Sequence, residues 1–93
     1  MNWVGVQLTI RGMVQGVGFR YWCYRRAREL ALTGWVRNNP DGSVSVAAEG
    51  ERSVLEEFIR QLKVGPSHAS VSDVAVRWTE FTGKFHNFDI TMS

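Results

Sequence analysis

The chain has 93 residues, of which 44% are hydrophobic and 22% are charged, and its formal net charge is +2 at pH 7. This length supports one modest core, because single domains of about 100 residues are typical. The composition argues against a largely disordered chain, and no stretch approaches the ~18–20 apolar residues of a membrane span. The charge is too balanced to indicate nucleic acid as a partner. We therefore expect a single domain over residues 1–93.

Cysteine usage and the first residues of the chain bear on its compartment. Cys23 is the one cysteine in the sequence, so an internal disulfide and a cysteine-built zinc site are both excluded. Residues 1–4 contain neither a basic leader nor an apolar export segment. We therefore expect a reducing, cytoplasmic setting.

The hydrophobic pattern changes its period along the chain and predicts strands and helices in turn. A period of two, typical of a half-buried strand, predicts strands over 4–10, 34–38, 43–48, 74–78 and 88–92. A period near 3.6 predicts helices over about 19–32, with Leu30 and Ala31 on the apolar stripe, and over about 53–63. Ser53 and Glu56 form the pattern of a capping box at the start of the second helix.

The order of these elements is βαββαβ, with an extra hairpin-like return at the C-terminal end. Two interleaved βαβ units predict an α+β fold of the ferredoxin-like kind, an antiparallel sheet with two helices packed on one face. This fold carries many unrelated functions, so the function has to be argued from particular residues.

A glycine-rich segment, residues 12–20 with the sequence GMVQGVGFR, joins the first strand to the first helix. Glycines allow tight turns that aim successive backbone N–H groups at one point, and the first turn of a helix adds unpaired N–H groups. Together they predict an anion site, most naturally for phosphate, with Arg20 as a bidentate donor at its rim. A sharp turn beside a solvated Arg20 explains the same residues, and the pattern alone leaves both interpretations open.

Several other sites do not fit the sequence. No Lys-Ser or Lys-Thr pair follows the glycines, so the segment is not a Walker loop, and the residues after Gly18 do not match the dinucleotide fingerprint. Cys23 follows Arg20 and lies on the apolar stripe of the helix, which indicates a buried hydrophobic residue and not a nucleophile. His68 and His86 are remote from acidic or cysteine clusters, so no metal site is predicted.

The glycine-rich segment and the strand after the first helix closely resemble the acylphosphatase family. The family pattern G-x-V-Q-G-V-x-F-R is matched over 12–20, G-W/Y-V-x-N over 34–38 and D-G-x-V over 41–44. The resemblance implies a ferredoxin-like enzyme that hydrolyses acyl phosphates to carboxylate and inorganic phosphate without a metal or another cofactor. It implies that Arg20 binds phosphate, that Asn38 orients water, and that the loop backbone binds the phosphate through Gln15, Gly16, Val17, Gly18 and Phe19.

The chemistry implied by this resemblance requires few protein groups. The leaving group is a carboxylate whose conjugate acid has a pKa of about 4, so it departs without a general acid. The charge of a loose, metaphosphate-like transition state lies on the phosphoryl oxygens. Catalysis then consists of holding those oxygens and placing a water in line. The carboxamide of Asn38 does not titrate usefully, so it suits the orientation of a water and not the role of a strong base.

A non-catalytic module of the same fold, binding an anionic ligand or RNA, is the alternative. Simple anion binding does not require Asn38, and the aromatic signature of RNA-binding ferredoxin-like domains is missing from the sequence. We therefore favour the enzyme. Its expected partners are a small acyl phosphate and inorganic phosphate, with no nucleic acid, no membrane and no need for more than a monomer.

Overall fold

The computed structural model describes residues 2–92, which form a five-stranded sheet with two helices packed on it. The elements are β1 (Trp3–Met13), α1 (Phe19–Glu29), β2 (Thr33–Asn38), β3 (Val44–Glu51), α2 (Arg52–Val64), β4 (Ser70–Glu80) and β5 (Phe88–Ile90). Their order confirms the predicted βαββαβ sequence with one further strand. Over residues 2–92, no helix has both the length and the apolar character that crossing a membrane requires.

The strands lie in the order β4-β1-β3-β2-β5. The pairs β4–β1, β1–β3 and β3–β2 are antiparallel, whereas β5 runs parallel to β2, with Gly34 opposite Phe88 and Val36 opposite Ile90. The ferredoxin-like arrangement is therefore confirmed for the first four strands. The sheet as a whole is mixed, so the prediction of a hairpin-like return at the C-terminal end is wrong.

The position of β5 follows from the burial of Phe88. Its side chain is 1% exposed and packs edge-on against the ring of Phe58 on α2, with 6.2 Å between the ring centroids. Backbone hydrogen bonds from Gly34 N to Asn87 O and from Thr91 N to Val36 O, both 2.9 Å, fix the strand beside β2. A hairpin next to β4 would place the last strand at the opposite edge of the sheet, away from this contact.

The connection between β4 and β5 is held by a buried carboxylate. Residues 81–87 link the two opposite edges of the sheet. Glu49 on β3 is 5% exposed and accepts hydrogen bonds from the backbone N–H and the hydroxyl of Thr82 and from the N–H of Gly83. These bonds satisfy the oxygens of a carboxylate that would be costly to bury alone.

The core lies between the sheet and the helices. Alternate residues of β1 and the apolar stripe of α2 enter it as the period-two and period-3.6 patterns predict; they are Val6, Leu8, Ile10, Leu55, Phe58 and Leu62. Because Phe19 and Cys23 of α1 are buried in the same cluster, the first turn of α1 is fixed against the sheet.

Helix α1 ends three residues earlier than the sequence predicts. Leu30 is its C-cap, and Ala31 takes a left-handed conformation with φ of 57° and is exposed. A hydrogen bond from Leu32 N to Ala27 O, 2.9 Å long, closes the terminus and turns the Leu32 side chain into the core. Leu30 packs against the core as predicted, although it is the C-cap, whereas the prediction that Ala31 belongs to the helical stripe is wrong.

Helix α2 begins at Arg52, one residue before the predicted start. Its N-cap is Glu51, and no side chain caps the helix, so the predicted capping box of Ser53 and Glu56 is wrong. Two long-range contacts fix Arg52 instead. Its backbone N–H donates to Asn2 O at 2.9 Å, and its guanidinium lies 4.1 Å from the ring centroid of Trp78.

Candidate active site

The loop between β1 and α1 depends on two glycines with positive φ. Gly16 has a φ of 75° and Gly18, the N-cap of α1, has a φ of 78°. A Cβ atom at either position would meet no atom within 4 Å, so available space does not select glycine here. The left-handed backbone conformation selects glycine, because residues with a side chain adopt this conformation at a cost in free energy.

The backbone N–H groups of this loop have no partners within the described chain. No acceptor among residues 2–92 pairs with the N–H groups of residues 15–20, and no side chain caps α1. Its first turn also carries no acidic residue. An uncapped helix start next to a glycine turn is an anion-binding arrangement, since the partial positive charge of the N–H groups is directed outward.

The side chain of Gln15 attaches this loop to the turn that follows β2. Its Nε2 donates to the carbonyl oxygen of Asn39 at 2.7 Å and to that of Ser43 at 2.8 Å. The same turn is closed by hydrogen bonds from Asn39 Nδ2 to the hydroxyls of Ser43 and Ser45. Gln15 therefore couples the glycine loop to the end of the strand that carries Asn38.

Arg20 and Asn38 line one cavity of about 210 Å³ between the loop, α1, β2 and the C-terminal end of the described chain. Its complete lining is Val14, Gly16, Gly18, Phe19, Arg20, Tyr21, Asn38, Ile90 and Met92. Of the backbone positions that the sequence predicts for phosphate binding, Gly16, Gly18 and Phe19 border this cavity. Gln15 and Val17 do not.

The guanidinium of Arg20 is not engaged by a carboxylate of the described chain. The ion pairs found among residues 2–92 do not include it. Among residues 2–92, its one side-chain hydrogen bond runs from Nη1 to the sulfur of Met92 at 3.8 Å, and a thioether is a weak acceptor. The planar donors of Arg20 are therefore available to an anion in the cavity.

Asn38, the last residue of β2, has an unsatisfied acceptor. Its Oδ1 is buried and has no hydrogen-bond partner among residues 2–92. A buried polar atom without a partner costs about 1–3 kcal/mol, so this arrangement is unfavourable for folding alone. The residue that carries this atom also lines the cavity, and the two observations together indicate a functional role.

The other candidate groups lie outside this site. Burial raises the pKa of the Cys23 thiol, which is fully enclosed in the core, so the thiolate needed for nucleophilic attack is disfavoured. In the described part of the chain, no three His, Cys, Asp or Glu side chains come together in a way that would hold a metal.

A larger groove of about 740 Å³ lies between the two helices, and its lining includes neither Arg20 nor Asn38. It is open and is bordered by residues that include Trp22, Arg26, Arg60, Val64 and Pro66. The neighbouring ion pairs of Arg26 with Glu29 and of Arg60 with Glu57 leave little unpaired charge there. We place the candidate site in the smaller cavity, because Arg20, Asn38 and the glycine loop line it, and the loop N–H groups have no partner among residues 2–92.

Two contributions to the site were not found from sequence. The two hydrogen bonds of the Gln15 side chain could not be predicted from sequence, because they join residues that are 24 and 28 positions apart. Ile90 and Met92 reach the cavity because β5 pairs with β2, a pairing that the sequence analysis did not predict. The alternation of apolar residues over 88–92 is the signal that could have indicated them.

The chain is similar to known proteins over most of its length. The sequence profile of the acylphosphatase family matches residues 6–90. An acylphosphatase of Chlorobaculum tepidum is 42% identical over 85 residues, covering 91% of this chain and 92% of that protein. An acylphosphatase of Trichormus variabilis is 49% identical over 80 residues, covering 86% of this chain and 79% of that protein. The crystal structure of acylphosphatase from Bacillus subtilis superposes with a TM-score of 0.91 at 35% identity, covering 95% of this chain and 98% of that one.

The structure thus defines a small ferredoxin-like protein with a cavity at the start of α1 that Arg20 and Asn38 line. The chain belongs to the acylphosphatase family, and the resemblance noted from its motifs is confirmed.

Proposed function

We propose that the protein is an acylphosphatase that hydrolyses the carboxyl–phosphate bond of acyl phosphates by direct in-line attack of water, without a metal. One observation carries the proposal. Arg20, the unpaired N–H groups of the glycine loop and Asn38 border the same cavity. Family membership supports the assignment, since the relatives in Chlorobaculum tepidum and Trichormus variabilis are acylphosphatases.

In this mechanism the loop and Arg20 hold the phosphoryl group. The N–H groups beside Gly16 and Gly18 and the guanidinium fork donate to its equatorial oxygens, where charge accumulates in a loose transition state. These donors are preorganised, because Gln15 and the buried Phe19 fix the loop on both sides. Preorganised donors need no rearrangement as the charge develops, which is the main source of their effect on the rate.

Asn38 orients the attacking water. The χ2 torsion of asparagine is broad, so a rotation about the Cβ–Cγ bond turns Oδ1 toward a water in the cavity. That water then satisfies an acceptor that has no partner among residues 2–92. The leaving carboxylate departs as an anion, so the site needs no general acid.

The experiment that tests this function is hydrolysis of acetyl phosphate in chelator, in water labelled with the heavy oxygen isotope. Attack on phosphorus puts the label in inorganic phosphate and none in acetate. Label in acetate would show attack on the carbonyl carbon. An absence of hydrolysis would remove the enzymatic proposal.

The protein is further proposed to act as a single-domain monomer in the cytoplasm, on a small-molecule substrate and with no nucleic-acid or membrane partner. Arg20 and Asn38 come from the same chain, so one protomer supplies both side chains. Sedimentation measures the oligomeric state. An RNA gel shift at two salt concentrations tests the non-catalytic alternative, since phosphate contacts weaken as salt rises.

A further inference from the structure

One face of α1 carries two tyrosines and two arginines next to the cavity. Positions i, i+3, i+4 and i+7 of a helix share a face, and here they are occupied by Tyr21, Tyr24, Arg25 and Arg28. Tyr21 also lines the cavity, and both arginines are exposed. At about 1.5 Å per residue, Arg25 and Arg28 lie about 8 Å and about 12 Å from Arg20 along the helix axis.

The two guanidinium groups lie over the tyrosine rings. The Cζ atom of Arg25 is 5.9 Å from the centroid of the Tyr21 ring, and that of Arg28 is 5.6 Å from the centroid of the Tyr24 ring. Arg28 Nη1 also donates to the Tyr24 hydroxyl at 3.1 Å. Such contacts restrain the side chains and leave their charge in place, so two positive charges are held beside the cavity.

No carboxylate of the described chain neutralises these charges. The ion pairs found among residues 2–92 include neither Arg25 nor Arg28, whereas Arg26 between them pairs with Glu29 at 3.2 Å. The residues of the described chain that line the cavity include no carboxylate either. Arg25 and Arg28 therefore add to the positive potential that Arg20 creates in the cavity.

We propose that Arg25 and Arg28, here called the α1 arginine surface, attract the phosphoryl group of the substrate to the cavity through long-range electrostatics, without contacting it. This inference rests on the proposed function and adds residues that determine kcat/KM. A phosphate monoester is close to doubly charged above pH 7, so it responds strongly to such a field. Coulomb attraction in water, screened by salt, then raises kcat/KM by about fivefold at about 0.01 M ionic strength and by less than about twofold at about 0.3 M.

The test measures kcat and KM for acetyl phosphate in the wild type and in the double variant Arg25→Gln with Arg28→Gln, at low and high ionic strength. At about 0.01 M, kcat/KM of the variant should be about fivefold lower, and at about 0.3 M the two proteins should converge. The kcat should not change, because the attraction acts on capture of the substrate and not on the bound complex. A lower kcat with an unchanged KM would overturn the proposal.

The conservative double variant, Arg25→Lys with Arg28→Lys, separates charge from side-chain geometry. It keeps both positive charges, so it should keep the wild-type kcat/KM and its dependence on salt. Long-range attraction needs only the charge, whereas a residue that binds phosphate through a planar fork does not tolerate lysine. A loss in the lysine variant as large as that in the glutamine variant would contradict the proposal.

The matched control is Arg77→Gln with Lys84→Gln, which removes the same net charge elsewhere. Arg77 on β4 donates to Gln7 at 2.6 Å, and Lys84 and Gln7 line a different cavity. Neither cation lines the cavity that contains Arg20. This control should retain the wild-type kcat/KM at both ionic strengths. A fall equal to that of the Arg25 and Arg28 variant would show that only net charge matters, and the α1 arginine surface would have no particular role.

Binding of inorganic phosphate, measured by calorimetry on the same proteins, distinguishes this inference from the proposed function. Phosphate affinity should fall in the glutamine variant at low ionic strength in step with kcat/KM. If acetyl phosphate is not hydrolysed but this affinity falls, the enzymatic proposal fails and the attraction stands. If the wild type hydrolyses acetyl phosphate and the glutamine variant has the same kcat/KM at both ionic strengths, the attraction is refuted and the enzymatic proposal stands.

Discussion

The side-chain Nε2 of Gln15 lies 2.7 Å from the backbone carbonyl oxygen of Asn39. This contact joins the loop in front of Arg20 to the residue directly after Asn38. The two groups proposed to hold phosphate and to place water thus lie on segments that are hydrogen-bonded to each other, although they are 18 positions apart in the sequence. Catalysis by positioning depends on such a connection, because a misplacement of about 1 Å costs about 10²-fold in rate.

Replacing Gln15 with Ala should reduce both stability and activity. The loss of its two hydrogen bonds should lower the free energy of unfolding by about 1–3 kcal/mol. The loosened loop should lower kcat by about 10–100-fold. Urea unfolding and acetyl phosphate hydrolysis measure the two effects.

Gln7→Ala is the control for this variant. Gln7 is an exposed β1 residue that accepts one hydrogen bond from Arg77 Nη2, outside the cavity. The Gln7→Ala variant should retain the wild-type kcat. Equal activity of the two variants would contradict a positioning role for Gln15.

Arg20→Ala should lower kcat/KM for acetyl phosphate by about 10³-fold or more, as expected for an arginine that stabilises phosphoryl transfer. Arg20→Lys should recover little of this loss, because a point charge does not reproduce the planar pair of donors. Competitive inhibition by inorganic phosphate should weaken in both variants. Recovery of most of the rate by lysine would show that only net charge matters at this position.

Asn38→Ala should separate activity from stability. It removes the proposed water-orienting group, so kcat should fall by about 10²-fold or more while phosphate inhibition persists. It also removes a buried oxygen that has no partner among residues 2–92, so the free energy of unfolding should stay constant or rise. A kinetic assay and urea unfolding on the same preparation report both quantities.

The neighbouring Asn39 provides the matched comparison for stability. Its Nδ2 donates to the hydroxyls of Ser43 and Ser45 at 2.9 and 2.7 Å, so Asn39→Ala should destabilise the protein by about 1–3 kcal/mol. A destabilisation of the same size in Asn38→Ala would indicate that Asn38 is a structural residue. Loss of phosphate inhibition in Asn38→Ala would make it a binding residue.

The free energy of unfolding should depend on pH in the acid range because of Asp41, in the turn after β2. Hydrogen bonds from the hydroxyl and the N–H of Ser43, together with the nearby Arg11, lower the pKa of Asp41 to about 2. The folded state therefore favours the ionised carboxylate. Its contribution is complete above the usual aspartate pKa of about 3.9 and is lost as the pH falls toward about 2.

Urea unfolding of the wild type and of Asp41→Asn between about pH 2 and pH 5 tests this effect. The wild type should lose more stability on acidification than the variant, which cannot ionise at this position. Other carboxylates with a lowered pKa, such as Glu57, titrate in both proteins and cancel. If acidification lowered the stability of the wild type and of Asp41→Asn equally, the lowered pKa assigned to Asp41 would be contradicted.

The sequence predicted the parts of this fold that depend on local pattern. The alternation in β1 and the stripe of α2 identified core residues, because burial selects side chains at a fixed period. Gly16 and Gly18 marked the loop, because their conformation is one that side chains disfavour. Arg20 and Asn38 were found through motifs, and the structure brings them to one cavity.

The errors at the start of α2 and in the pairing of β5 occurred where distant contacts override local preference. The start of α2 is set by contacts of Arg52 with Asn2 and Trp78, not by Ser53. The pairing of β5 with β2 is set by burial of Phe88 against Phe58. Neither relationship has a local sequence signature, since each joins residues at least 26 positions apart.

The most direct test of the account is the rate at which chelator-treated protein releases inorganic phosphate from acetyl phosphate, compared with the same preparation of Arg20→Ala and Asn38→Ala. The account predicts steady turnover by the wild type with the chelator present, and a loss of about 10²-fold or more in each variant while both remain folded. Turnover that stops with the chelator, or that survives in either variant, would contradict it.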